Sequence, residues 1–393
     1  MVVYLGISQT LAWASSYYLP AVLATPMARD IGVSAPTIFA AFSMAMIVSA
    51  LIGPWAGRII DRLGGRPVLI ATNVLFATGL GALALATDPV SMFSAWLLIG
   101  AAMGAGLYEA AFASLVRLYG HNARGSITGV TLIAGFASTI GWPLTAWMES
   151  QYGWRGACLG WATLHMVAGL PLNALLPRDN PEHGHVLVKE EQVAAPAAVQ
   201  TSSTSAMTTA LLAFVFAATW FSSTAMAAHL PRMLQAAGAS LAVAVSVGAL
   251  VGPAQVIGRL VEFGVLRRVH PLLSARIAAS AHPLGVALLL FLGPVAAPVF
   301  AGLHGAGNGI LTIAKGTLPL VLFGPSGYGA RQGWLMMPAR IAQAGAPLLF
   351  GLALDHWGVH ALILTMVLGL LALASLLVLQ ASGHTNHAVA EAP

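Results

Sequence analysis

Charge is what this sequence has least of. Asp, Glu, Lys and Arg make up only 7% of its 393 residues, against 58% hydrophobic, too little polarity to cover a soluble globule of that length. Cysteine is almost absent: the single Cys158 excludes an internal disulfide and any thiolate metal cluster, and its place in an apolar run makes it a packing residue. Catalytic and nucleotide-binding signatures are missing. There is no Ser/His/Asp spacing, phosphate loop, dinucleotide glycine pattern or metal-ligand cluster, so neither an enzyme nor an ATP-driven pump is expected, and no cofactor. The GAGNG run at Gly305 to Gly309 lies in an apolar segment without a preceding strand and reads as helix packing. Basic patches interleaved with aromatics are also lacking, so the net charge of +5 does not point to nucleic acid.

What remains is long apolar runs. A spanning helix needs ~20 such residues, and twelve runs fill the chain, starting near Val3, Ala35, Pro67, Ser91, Ser126 and Gly156, then Met207, Leu241, Leu272, Pro298, Gly333 and Ala361. The second half repeats the first. WASSYYLP at Trp13 to Pro20 returns as WFSSTAMAAHLP at Trp220 to Pro231. ALIGP at Ala50 to Pro54 returns as ALVGP at Ala249 to Pro253, and GAG at Gly104 to Gly106 as GAG at Gly305 to Gly307. WPLTAWMESQYG, ending at Gly153, echoes APLLFGLALDHWG, ending at Gly358. The expected fold is an all-α polytopic membrane protein of twelve transmembrane helices in two pseudo-symmetric six-helix bundles. The expected divisions are 1–177 for the first bundle, 178–206 for an Ala/Pro/Ser/Thr-rich cytoplasmic linker, 207–380 for the second bundle and 381–393 for a flexible tail. The first run lacks a basic leader and carries the repeat, so it is read as helix one, not as a cleaved signal.

Basic residues set the orientation. Arg58, Arg62, Arg66, Arg117, Arg124, Arg178, Lys189, Arg267, Arg268, Arg276 and Arg331 fall on one side, and only Arg29, Arg155 and Arg232 oppose them. Both termini and the linker are therefore expected in the cytoplasm of a plasma-membrane protein.

The sharpest motif is GRIIDRLGGRP at Gly57 to Pro67, in the loop between helices two and three. Gly57 permits close helix approach, Asp61 can accept from arginines or a helix N-terminus, Gly64 and Gly65 allow the turn, and Arg62 and Arg66 supply cations. A plain solvated charge cluster is the other reading. This run resembles the loop signature of the major facilitator superfamily. The resemblance implies a secondary carrier working by alternating access, with Gly57, Asp61, Arg62, Gly65 and Arg66 as a cytoplasmic gate.

Charges inside the membrane are costly, ~2.5–3.5 kcal/mol each on insertion scales, and so mark cavities or partners. Arg340, behind Pro338 in helix eleven, has no acid within a helical turn and is the leading substrate ligand. Arg259 follows Gln255 by one turn in helix eight, a cation and an amide aimed at one point. An Arg there with a basic residue in helix eleven resembles monocarboxylate transporters and oxalate/formate antiporters, which bind small organic anions; monocarboxylate transporters usually carry an Asp where Gln255 stands. GRLVE at Gly258 to Glu262 also matches GRIID, so a second latch pairing Arg259 with Glu262 stays open.

His304, Asn308, Thr312 and Lys315 share one face of helix ten, a polar stripe suited to lining water. Lys315 fits a lining role, a second anion contact or a snorkelling amine, and His304 a proton site or hydrogen-bonded packing. Glu109 in helix four is either a coupling carboxylate or one half of an ion pair. Helix one places Gln9, Trp13, Ser16 and Tyr17 on one face, and helix seven places Trp220, Ser223 and Thr224 at the matching level. In a cavity they would pack a ligand's organic part; Trp13 and Tyr17 also suit a membrane interface. The expected function is transport of a monocarboxylate or dicarboxylate anion by proton coupling or exchange. The expected partners are that substrate, the lipid bilayer and a proton or counter-anion, with no nucleic acid, and the chain is taken as a monomer. The alternatives are a proton-coupled exporter of lipophilic compounds and a transport-dead sensor.

Overall fold

The computed structural model describes residues 1–177 and 202–379. Most of the expected linker, with Arg178 and Lys189, and the expected tail lie outside the described residues, and the helix after the linker begins at Ser202, inside the range expected for it. Among the described residues the chain is helical, with no strand. The helices are α1 (Val2–Ser15), α2 (Pro20–Ile31), α3 (Ala35–Leu63), α4 (Gly65–Ala84), α5 (Pro89–Gly106), α6 (Tyr108–Tyr119), α7 (Ala123–Ala134), α8 (Ala137–Leu164) and α9 (Leu170–Ala174). After the linker come α10 (Ser202–Ala236), α11 (Leu241–Gly264), α12 (Pro271–Leu292), α13 (Ala297–Phe323), α14 (Tyr328–Trp357) and α15 (Leu362–Val378).

These helices make twelve passes. Seven continuous stretches are long and apolar enough to cross a bilayer; Pro89–Ala174 folds back to give three passes, and Pro271–Phe323 and Tyr328–Val378 give two each. The first pass is α1 with α2, and its break at Ser16–Leu19 keeps it from being one continuous stretch. In the first half, passes one, four, five and six are interrupted, at Ser16–Leu19, Leu107, Gly135–Phe136 and a π-turn over His165–Gly169. Gly153, with φ 69°, turns the chain between passes five and six inside α8. In the second half α10 to α15 each cross whole.

The repeat read in the sequence does the same packing work in both halves. A Cβ on Gly104 would meet the Ser49 carbonyl and one on Gly106 would meet Thr72, so this GAG seats pass four on passes two and three. A Cβ on Gly305 would meet the Val251 carbonyl and one on Gly307 the Ala278 carbonyl, which seats pass ten on passes eight and nine.

The basic residues also have a common task. Even-numbered passes end on one face, where their last carbonyls lack helical partners. Arg117 donates to the carbonyls of Asp61 and Arg62, Arg124 to Leu266 (3.2 Å) and Val269 (2.9 Å), Arg331 to Phe323 and Gly324 (both 3.2 Å), and Arg276 to Leu376 (3.0 Å) and Leu379 (2.8 Å). Each guanidinium completes the backbone and faces the negative end of a helix dipole. On the opposite face Asp88 starts α5 with a capping box, accepting from the amides of Val90 (2.8 Å) and Ser91 (3.0 Å). The hydrogen bonds from Ser91 hold its carboxyl below the ordinary aspartate value.

The two halves touch most closely along α3 and α14, where glycine removes the side chains. A Cβ on Gly57 would run into the Gly329 carbonyl, and one on Gly333 into Pro54. Gly57→Ala should lower the apparent melting temperature in detergent by about 5 °C, the cost of overpacking at a backbone contact. Gly248→Ala, where a Cβ meets nothing within 4 Å, should leave it unchanged or raise it; equal melting of the two variants would refute this account.

Candidate functional site

Two clusters follow from the fold: a contact between the halves on the face where the arginines cap, at the residues expected to form the latch, and a charged aromatic centre midway between the halves. At the latch, the Asp61 carboxylate accepts from the amides of Gly329 and Ala330, both at 2.8 Å, so it closes on the N-terminus of α14 in the other half. Gly65 lets α4 start against Ser114. Arg62 is exposed and contributes its carbonyl to Arg117, while Arg66 is half-buried. The repeat-mate of Asp61 behaves alike. Glu262 takes Arg124 of the first half at 3.0 Å, so the pairing with Arg259 left open in the sequence does not form. Two acids, one per half, thus grip the opposite half.

The centre is built on the broken helices. Where α5 ends, Leu107 swings to φ −84°, ψ −164°, and the Gly106 carbonyl is left without a helical donor. The Gln9 amide supplies one at 2.7 Å. The break gives α6 a fresh N-terminus, with Glu109 in its first turn. Glu109 reaches across to Arg340 of α14 at 2.7 Å, with Arg340 only 3% exposed. The acid absent near Arg340 in sequence is therefore 231 residues away, in the other half.

Around this pair stand aromatic rings. The Trp13 ring lies 4.9 Å from Tyr108, 5.3 Å from Tyr17 and 6.3 Å from Trp220. Trp220 in turn carries Lys315 Nζ 4.1 Å from its centre and the Arg340 guanidinium at 5.7 Å. One turn beyond Arg340, the Gln343 amide donates to the Tyr17 hydroxyl at 2.8 Å. Arg259 is buried, its guanidinium beside Gly135 at the break in pass five, and Gln255 Oε1 lies 3.5 Å away. Among the described residues Arg259 has no acid in ion-pair range. Its Nε and one terminal nitrogen are buried without partners, as are one Arg340 nitrogen and the indole N–H groups of Trp13 and Trp220.

Of the residues singled out in the sequence, the centre gathers Trp13, Tyr17, Glu109, Trp220, Lys315 and Arg340, with Gln255 and Arg259 on the adjoining helix. Asn308 is half-buried on α13. His304 stands apart, its Nδ1 2.9 Å from that of His282 in pass nine and its ring stacked on Phe300. Sequence reading passed over Tyr108, Gln343 and the latch role of Arg124. The first two had a signal: an aromatic beside a membrane carboxylate, and an amide one turn from a membrane arginine. Arg124 had none, because its partner lies in another half. An apolar crevice of about 590 Å³ between α10, α14 and α15, lined by Phe221, Leu352 and Trp357 among others, opens toward exposed apolar side chains and lies away from the charged centre.

A family model described as Major Facilitator Superfamily matches residues 5–314. The chain belongs to this superfamily. It is thus a multi-pass membrane transporter and not an enzyme. The chain is 27% identical over 277 residues to the 3-(3-hydroxy-phenyl)propionate transporter of Escherichia coli, a match covering 70% of this chain and 63% of that protein. It is 26% identical to the gentisate transporter of Corynebacterium glutamicum, over 92% of this chain and 84% of that one. The solved structure of the proton:xylose symporter XylE, 12% identical, superposes with a TM-score of 0.73 over 96% of this chain and 94% of XylE, a likeness of fold.

Neutralising both latch acids tests their role. Spin labels on Leu63→Cys and Val265→Cys, exposed on the latch face of each half, should report a longer distance when Asp61→Asn and Glu262→Gln are combined. Each 1.4 kcal/mol lost from the closed state shifts the populations about tenfold. An unchanged distance distribution would count against the latch.

Proposed function

We propose that this transporter is a secondary carrier for aromatic carboxylates in the plasma membrane, with its latch face and both termini cytoplasmic. The observation that carries this reading is Arg259: a buried cation with unpartnered N–H groups and no acid in ion-pair range among the described residues. A buried charge is stable only with a counter-charge, and a substrate carboxylate supplies one. The rings of Trp13, Tyr108 and Trp220 offer flat apolar faces for an aromatic body, and the unpartnered indole N–H groups of Trp13 and Trp220 can donate to its oxygens. The transporters of 3-(3-hydroxy-phenyl)propionate and gentisate among its relatives support the same class, while multidrug resistance proteins among them keep the exporter as the second reading.

Glu109 and Arg340 give the coupling step. Separating a buried ion pair costs about 3–5 kcal/mol when one partner is left alone, so Arg340 stays on Glu109 until a proton neutralises the carboxylate. Once Glu109 is protonated, Arg340 is free to turn to the substrate anion, and proton and anion cross together without net charge. Lys315 adds positive potential over Trp220. Asp61, with Gly57, Arg62, Gly65 and Arg66 around it, acts as the cytoplasmic gate and Glu262 as its counterpart.

The test is thermal stabilisation of the purified protein by hydroxybenzoates, phenylpropionates, short aliphatic acids and lipophilic cations, followed by proteoliposome uptake. Aromatic acids should stabilise the wild type, and Arg259→Gln should bind them at least about thirtyfold more weakly, the ~2 kcal/mol of a charge-assisted bond. Glu109→Gln should keep binding and lose the dependence of uptake on a proton gradient. A response to lipophilic cations alone would overturn the anion reading in favour of a proton-coupled exporter.

A further inference from the structure

Away from the central site, Ser15, His165 and Asn73 form a buried chain through the first half. Ser15 Oγ lies 2.7 Å from His165 Nε2, and His165 Nδ1 lies 2.9 Å from Asn73 Oδ1. The Asn73 amide nitrogen is committed to the Leu69 carbonyl at 2.8 Å. Its oxygen therefore accepts from Nδ1–H, and in the neutral ring Nε2 accepts from the Ser15 hydroxyl. The imidazole is stacked on Phe76, with centres 4.8 Å apart and planes 18° from parallel. All three polar residues are at most 3% exposed.

The chain joins two irregularities of the backbone. At Ser15 α1 stops: Ser16 leaves the helix at φ −124°, ψ −73°, the Tyr18 amide reaches back five residues to the Trp13 carbonyl (3.2 Å), and the Ser16 hydroxyl bonds the Ala12 carbonyl at 2.6 Å. At the other end, His165 opens the π-turn that interrupts pass six. Such interruptions persist where surrounding groups hold them. The second half provides the comparison. Ser222, the repeat-mate of Ser15, donates only to Ala218 of its own helix at 3.0 Å, and α10 runs on unbroken. The same serines occur in both halves, but Pro20, which cannot donate to the Ser16 carbonyl, has Ala227 at the matching distance from Ser223; proline breaks the helix there, and the histidine holds the serine at the end it leaves.

We infer that Ser15, His165 and Asn73 are positioning residues that set how Trp13 and Tyr17 enter the site. Ser15 lies two residues after Trp13 in α1, about half a turn round the helix from that ring, and directly before the break that carries Tyr17. Anchoring Ser15 in the bundle interior turns Trp13 and Tyr17 toward the centre. The inference rests on the proposed reading of the centre as a substrate site.

Two variants separate its failure from the failure of that reading. His165→Phe keeps a ring against Phe76 and removes both hydrogen bonds; Ser15→Ala removes one and leaves the packing. Full-length protein carrying fluorotryptophan gives a Trp13 fluorine resonance, assigned by its loss in Trp13→Phe, which reads the ring's surroundings without any substrate. Both variants should move that resonance while that of Trp357, exposed at the end of α14, holds. They should also raise the KM for a transported hydroxybenzoate about tenfold, the effect of one buried hydrogen bond, with the maximal rate within about twofold. A Trp13 resonance unmoved in Ser15→Ala overturns the proposal, as does a moved resonance with a wild-type KM. If His165→Phe does not fold, Ser15→Ala alone decides. If the wild type takes up no aromatic acid, the substrate reading fails, and the fluorine resonance still decides whether the chain positions Trp13.

Discussion

In hydrocarbon, a backbone carbonyl released from its helix has no water to turn to and must find a donor inside the protein. Much of this transporter's architecture follows from that constraint. At the ends of even-numbered passes the donors are Arg117, Arg124, Arg276 and Arg331, and so the positive charge gathers on one face. At the interruptions the donors are Gln9 of pass one for Gly106 of pass four, and the nearby Ser16 hydroxyl and Tyr18 amide for the end of α1. Each interruption turns side chains in a direction that a straight helix would not give.

The interruptions divide the labour between the halves. The first half is broken in four passes and supplies shape: Trp13, Tyr17 and Tyr108, with Glu109 as its one acid at the centre. The second half crosses in whole helices and supplies cations: Arg259, Lys315 and Arg340. Charge and shape meet only when the halves close, and Glu109 with Arg340 is the bond made there. The two latch acids, Asp61 and Glu262, act on the same interface from the face below. Loosening either the centre or the contact at Asp61 and Glu262 thus bears on the same closure, which is what the proposed alternating access would require of two bundles.

Composition alone fixed the membrane class, because so few charges cannot solvate so many apolar residues. The repeats fixed the twofold organisation, since GAG, the paired serines and the glycine-proline runs keep their order, and both GAG runs pack alike in the folded chain. The motif at Gly57 to Pro67 was legible because its chemistry is local: glycine for approach and an acid for a helix end. Asp61 could therefore be placed at a helix N-terminus before its partner was known.

Pairing was not legible, for a physical reason. Arg340 has no acid near it in sequence, and its partner Glu109 is brought to it only by the docking of two halves. Helix periodicity placed His304 and Lys315 on one face, yet His304 meets His282 while Lys315 meets Trp220, because they lie three turns apart against different neighbours. Arg259 and Glu262 sit one turn apart, but Arg124 from the other half takes the acid. Sequence by itself determined which residues are expensive to bury and where the chain turns; tertiary structure alone decided which partner offsets each buried charge, since that choice depends on distances between helices that no spacing along the chain encodes.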